Sequence, residues 1–248
     1  MSVSTQGFQN LSDNLKHLLS CRGPDHIGES HVTIEHGFPY CVSALSTVLA
    51  LRGDRTIAQP FIHGSGSILC WNGEAWSIGK EAIEGNDGQL LFDLLIEAIA
   101  TEKSVDESTT AILEVFHTIS GPFAFVFVDK IHGQIYFGRD RLGRRSLLYK
   151  IDEQSESIHL SSVADPSSQP WQEVDADAVY QFSCSGRKEG LVDDGLLSLS
   201  IGSMFQHMWE NQSPGFSVRI LPPISNFGVV ALGLGIDDVK THGKLPSR

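Results

Sequence analysis

Only four of the 248 residues are cysteine (Cys21, Cys41, Cys70 and Cys184), and no two of them stand in a C-x-x-C or a paired Cys/His spacing. A disulfide framework and a zinc ribbon are thereby excluded, and free thiols in a reducing compartment are expected. Basic residues are also scarce: 18 Lys and Arg face 30 Asp and Glu, for a formal net charge of -12. So acidic a surface disfavours non-specific binding to nucleic acid or anionic membranes. No apolar run is long enough for a membrane span, and "MSVSTQGFQNLSDNL" lacks a basic region followed by an apolar one. These absences point to the cytosol, with neither nucleic acid nor membrane as a partner. The ten histidines show no H-E-x-x-H or comparable spacing, and neither a P-loop nor a G-x-S-x-G elbow is present, so no metal and no cofactor are expected. What is there is ordinary for a globular chain: 41% hydrophobic and 19% charged residues, in a length that suits one large domain or two small ones.

The apolar residues fall into two periods. Leu11, Leu15, Leu18 and Leu19 share one face at helical spacing, which predicts a helix capped by Asn10 or Ser12 and stopped before Gly23-Pro24. Residues 40–52 and 67–71 are apolar runs ended by turn residues, and read as strands. "QLLFDLLIEAIA" (89–100) predicts a helix with Leu91, Leu94, Leu95, Ala98 and Ile99 inward. A second helix is predicted over 108–119, with Ile112, Leu113, Phe116 and Ile119 inward. At "GPFAFVFVD" (121–129) the period changes to two. Phe123, Phe125 and Phe127 take one side, Ala124, Val126 and Val128 the other, so this strand needs cover on both faces. "IYFGRD" and "RSLLYKI" follow across turns as a predicted β-meander, and "IHLSSV" adds a further strand. Blocks of strands and helices, without strict alternation, indicate an α+β fold with antiparallel sheet. Residues 1–185 form the expected domain; 186–248 mix Pro, Gly and apolar runs without a period and read as an irregular tail.

"CWNGEAW" (70–76) raises a question of turn or site. Asn-Gly favours a type I′ hairpin, and taken alone the stretch reads as one. Glu74 follows at once, however, so an amide, a bare backbone and a carboxylate stand side by side. "GRDRLGRR" (138–145) gathers four arginines around a glycine turn, which suits phosphate groups or, alternatively, a solvated turn with Asp140 paired to an arginine. Cys21 and His26 in "CRGPDHIG" flank Gly23-Pro24 and read as a turn, not as a nucleophile pair.

The order of these pieces carries more than any one of them. "RGPD", "LRG", "WNGE", "GNDGQLL", "GPFAFVFVD" and "YFGRDRLGRRSLLY" in succession resemble the glutaminase domain of class II glutamine amidotransferases, the N-terminal-nucleophile type found in asparagine synthetases. The resemblance covers roughly residues 2–162, and Ser146-Leu147-Leu148 stands where asparagine synthetases usually carry Pro-Leu-Tyr. It implies a four-layer αββα sandwich with mostly antiparallel sheets, which agrees with a strand apolar on both faces. It also implies glutamine as the ligand. Arg52 would hold the α-carboxylate as a bidentate donor. Asn72 and the N–H of Gly73 would form the oxyanion hole. Glu74 and Asp87 would surround the ammonium and amide groups. A surface charge is the alternative for Arg52 and a helix N-cap for Asp87, which can be both.

Two departures bear on activity. The family nucleophile is a cysteine exposed after removal of Met, with its own α-amine as base. Here the start reads Met1-Ser2-Val3-Ser4, and the stretch to "RGPD" is shorter than the family's. The expectation is a first strand cut back, with Ser2 several residues too far along, each worth about 3.3 Å. The Ser-Gly-Gly-x-Asp-Ser pyrophosphate loop does not occur after Asp165, so asparagine synthesis by this chain alone is not expected, and a separate synthetase domain or chain is left open as a partner. Three readings stay open: a glutaminase domain linked to glutamine-dependent asparagine biosynthesis, a glutamine-binding module or pseudoenzyme without turnover, and an incomplete product. By itself the chain is expected to be inactive.

Overall fold

The computed structural model describes residues 2–4, 11–36, 40–50, 55–100, 104–152, 157–166, 170–176, 178–184 and 216–221. The irregular-tail expectation for 186–248 falls outside these residues except at 216–221. Two six-stranded sheets form the body. One has the order β13 (Gln172–Glu173), β11 (Leu148–Asp152), β12 (Ser157–Ser161), β1 (Ser2–Ser4), β3 (Tyr40–Val48) and β2 (His26–Ile34). The other runs β15 (Phe216–Leu221), β14 (Val179–Cys184), β10 (Gln134–Arg139), β9 (Phe123–Asp129), β5 (Ile68–Gly73) and β4 (Phe61–Ile62). A small third sheet joins β7 (Glu81–Ala82), β6 (Ser77–Ile78) and β8 (Ile119–Ser120). Every ladder among the described strands is antiparallel.

Strand β9 shows why the layers stack. Ala124, Val126 and Val128 pack with Val42 and Ala44 of β3, Ile158 and Leu160 of β12 and Tyr180 of β14 in the core between the two large sheets. Phe123, Phe125 and Phe127 face the other way, into a core with α2 (Asp87–Ala100) and α3 (Val105–His117). All seven residues of the strand are buried. Each phenylalanine so buried is worth about 1.5–3 kcal/mol. On the far side, Leu15 and Leu19 of α1 (Asp13–Arg22) pack on Leu45 of β3. The order is therefore α1, sheet, sheet, then α2 with α3: a four-layer αββα sandwich.

Local chemistry set the helix ends. Ser12 Oγ accepts from Leu15 N at 3.1 Å and caps α1, which runs through Arg22 to Gly23. The helix predicted over 108–119 starts three residues earlier, because Ser104 and Glu107 form a reciprocal capping box. The predicted meander is corrected. β10 pairs with β9 and β14, but β11 belongs to the other sheet, between β12 and β13. The cause is the turn at 140–147, which carries the chain from one sheet to the other. β2 had no clear period in the sequence; its nine residues pair with β3 along their whole length. Among the described residues, no helix is long and apolar enough to cross a membrane.

Candidate functional site

Asn72 and Gly73 do not make the tight turn that the Asn-Gly pair suggests. They are the last two residues of β5, paired with Ala124 and Phe123 of β9. Gly73 is not among the positive-φ glycines. It is needed for close approach instead: a Cβ there would stand 2.7 Å from the Phe123 Cβ and 2.7 Å from the Trp71 ring. After β5 the chain stays beside β9's approach, with Glu74 N donating to Pro122 O at 2.9 Å and Trp76 N to Ser120 O at 2.7 Å. Gly121, at φ 145, lies so close to the Glu74 carbonyl that a side chain has no room.

Strand alternation decides what Asn72 and Gly73 face. Leu69 and Trp71 point into the helix-side core, whereas Ile68 and Cys70 point between the sheets. Asn72 follows the second set, so its side chain enters the end of the inter-sheet layer. There its Nδ2 lies 3.5 Å from the Ser146 carbonyl, a weak contact that leaves the donor capable of a better partner. Ser146 Oγ donates to Ser162 O at 2.7 Å, and Arg22 Nη1 donates to the same carbonyl at 2.7 Å and to Ser146 Oγ at 3.0 Å. Its guanidinium is tucked against these groups although the residue as a whole is exposed. That burial, and then the charge of Arg145, lower its pKa from the ordinary value. Ser162 follows Ser161, the register partner of Ser2 in β1. The Ser2 end of β1 and the Asn72 end of β5 therefore belong to one end of the sandwich.

Backbone direction alternates as well. Trp71 N points away from β9 and donates to Gln59 Oε1 at 3.1 Å. Two residues on, the Gly73 N–H points to the same side. Strand β4 pairs only with Ile68 and Leu69 and ends before it. Gly73 thus directs a backbone donor off the open side of β5.

Asp87 is the first residue of α2, but it is not the cap: Asn86 Oδ1 accepts from Gln89 N at 2.8 Å. Asp87 Oδ2 instead accepts from Trp71 Nε1 at 3.0 Å and Ala75 N at 2.7 Å, so the half-buried carboxylate braces the Asn72–Glu74 segment from behind. Arg52 lies outside the described residues. Sequence reasoning assigned no site role to Gln59, Arg22 or Ser146; for Gln59 and Ser146 the contact is to or from the backbone, which leaves no side-chain pattern to read.

"GRDRLGRR" is a structural knot, in which Arg139 and Arg144 are taken up by carboxylates of the protein and are not held out for phosphate groups. Asp140, almost fully buried, accepts from Phe123 N, Leu142 N, Arg144 N and Arg144 Nε at 2.8–3.1 Å. Buried Arg139 pairs with Glu173 at 2.5 Å and donates to the carbonyls of Gly143, Arg145 and Val174. The expected pairing of Asp140 with an arginine is present, to Arg144 at 2.8 Å with both side chains nearly buried, while Arg141 and Leu142 of the turn stay exposed. Among the described residues, no three His, Cys, Asp or Glu side chains come together as a metal site.

A family profile described as "Glutamine amidotransferase domain" matches residues 47–166. The chain is 33% identical over 186 residues to asparagine synthetase domain-containing protein 1 of Mus musculus, covering 73% of this chain and 28% of that protein. It is 34% identical to the Homo sapiens protein of the same name, covering 73% and 27%. The chain thus spans little more than a quarter of the length of these relatives. Among solved structures, the glutamine phosphoribosylpyrophosphate amidotransferase from B. subtilis superposes with a TM-score of 0.50 at 13% identity, over 73% of this chain and 46% of that one. The last likeness speaks to the fold alone, and the first three to descent: residues 47–166 match the glutamine amidotransferase domain, and the chain resembles the asparagine synthetase domain-containing proteins over 186 residues.

Proposed function

We propose that this domain binds glutamine with its side-chain amide at the end of β5. The observation that carries the reading is the pair of donors there: Asn72 Nδ2, held only by a 3.5 Å contact, and the Gly73 N–H directed off the open side of the strand. Two adjacent donors at one strand end would suit a carbonyl oxygen reached by both, and still better the oxyanion formed when it is attacked. Glu74, and Asp87 through the Oδ1 that its bonds to Trp71 and Ala75 leave over, supply negative charge for the ammonium group, and Arg52 the donor for the α-carboxylate.

Turnover needs a nucleophile presented by β1 at the same end. This strand holds Ser2, Val3 and Ser4, while the four cysteines sit on α1, β3, β5 and β14. The thiol of Cys70 is fully buried, and that burial raises its pKa, which keeps it protonated and inert. Cys70 is thereby set aside as the nucleophile, and glutamine binding is the activity that the donors at the end of β5 support. The names of the relatives support a link to asparagine synthesis, in which the domain serves a synthetase domain or chain in the cytosol. The second reading is a working glutaminase.

Thermal unfolding with glutamine or glutamate separates these ideas. Glutamine at about 100 times its Kd stabilises by about 2.7 kcal/mol; glutamate, which lacks the amide, should give much less, and Asn72→Ala should abolish the difference. Equal shifts with both ligands, or none with either, overturn the glutamine site. Release of ammonia that stops in Asn72→Ala establishes the glutaminase instead.

A further inference from the structure

We infer that Gln59 is a positioning residue that sets the direction of the Gly73 N–H. Strand β5 has β9 along one side for all six residues, but on the other side β4 reaches only Ile68 and Leu69. The next outward-facing donor, Trp71 N, would have no strand partner, and Gln59 Oε1 takes it at 3.1 Å. One side-chain oxygen thus extends the ladder by a single rung. The rung after that is Gly73, where the ladder stops and the donor is left for a ligand.

Gln59 also packs against the other large sheet. Its backbone carbonyl presses on Gly28 of β2 so closely that a side chain at Gly28 has no room. Residue 59 therefore spans from the outer strand of one sheet to β5 of the other. Asp87 fixes the same Trp71 through the indole. Asp87 fixes the ring and Gln59 the backbone, so the strand end cannot rotate about its β9 hydrogen bonds. This role rests on the glutamine reading for its purpose, but not for its geometry.

Amide exchange followed by NMR tests the geometry in the unaltered chain. Without ligand the Trp71 N–H should exchange at least about tenfold more slowly than the Gly73 N–H, and saturating glutamine should slow Gly73. Equal protection of the two amides overturns the inference. Gln59→Met keeps the side-chain length and removes the acceptor; Gln59→Glu restores an acceptor. The Met variant should speed exchange at residues 71–75 while leaving β9 unchanged, and should weaken glutamine binding about tenfold; the Glu variant should recover both. A Met variant with unchanged exchange, or with faster exchange throughout β9, also overturns it. Local loosening in a chain that never binds glutamine leaves Gln59 as the brace and removes the glutamine site.

Discussion

The indole Nε1 of Trp71 donates to Asp87 Oδ2 at 3.0 Å, and the same oxygen accepts from Ala75 N at 2.7 Å. One carboxylate oxygen thus ties the start of α2 to both sides of Asn72–Glu74. Removing it leaves two donors in a half-buried setting, one of them a backbone N–H. Asp87→Ala should cost about 2–4 kcal/mol, from two hydrogen bonds to a charged acceptor. Asp87→Asn, which keeps an oxygen but not the charge, should cost less than half of that. Urea denaturation of the three proteins measures it.

Gly73 admits no side chain without displacing Phe123 or the Trp71 ring, which stack on each other with centroids 5.3 Å apart. Gly73→Ala should destabilise by about 1–3 kcal/mol, the usual range for overpacking. Near-ultraviolet circular dichroism should report the disturbed Trp71 environment as well. An alanine tolerated with an unchanged spectrum would mean that the ring and strand yield easily.

The capping box of α3 makes a prediction remote from the site. Ser104 Oγ accepts from Glu107 N, and Glu107 Oε2 accepts from Ser104 N at 2.8 Å. Ser104→Ala should cost about 1 kcal/mol, read as a lower melting temperature, with glutamine binding unchanged. A loss of binding there would tie α3 to the site in a way its position does not suggest.

Asp129 gives a pH dependence with a definite sign. It is fully buried, and that burial raises its pKa, against the opposing pull of His132, whose Nδ1 lies 2.7 Å away. His132 Nε2 in turn faces Ser108 Oγ of α3 at 3.4 Å. Between the ordinary carboxylate pKa of about 3.9 and the elevated native value, the folded chain holds a proton that the unfolded chain has released. Stability from this group is therefore present below the ordinary value and lost as pH rises through the native one. Asp129→Asn should flatten that part of the melting-temperature profile while keeping an acceptor for the N–H groups of Ile131 and His132, which Oδ1 now takes. A profile as steep as that of the parent chain would assign the slope to other groups.

How much was legible depends on the range of the interaction. Both faces of β9 could be read from its alternation, because a run apolar on each side has only one solution, cover on each side. Most of the buried faces of α2 and α3 followed from their period for the same reason, but Phe92, not Leu94, enters the core from α2, and Ile119 reaches it from β8 beyond the end of α3. Strand β2 was not legible: it is an edge strand whose exposed and half-buried residues alternate for much of its length, with polar side chains on both faces. The predicted meander failed because β10 and β11 are adjacent in the chain and both β-prone, yet nothing local says that the turn between them changes sheets. That is decided by Asp140 and Arg139, whose partners Phe123 and Glu173 come from distant segments.

The amino-acid sequence by itself determined the residue types at the candidate site, the α+β class and the family pattern, since these rest on spacing and order along the chain. The tertiary structure alone decided what those residues face. Asn-Gly became a strand end because β9 pairs with it, and Asp87 became a brace because Trp71 and Ala75 reach it across the turn. The Gly73 N–H became an open donor because β4 ends early and Gln59 fills only one rung. Hydrogen-bond direction is a property of paired strands, and no single stretch of chain contains it.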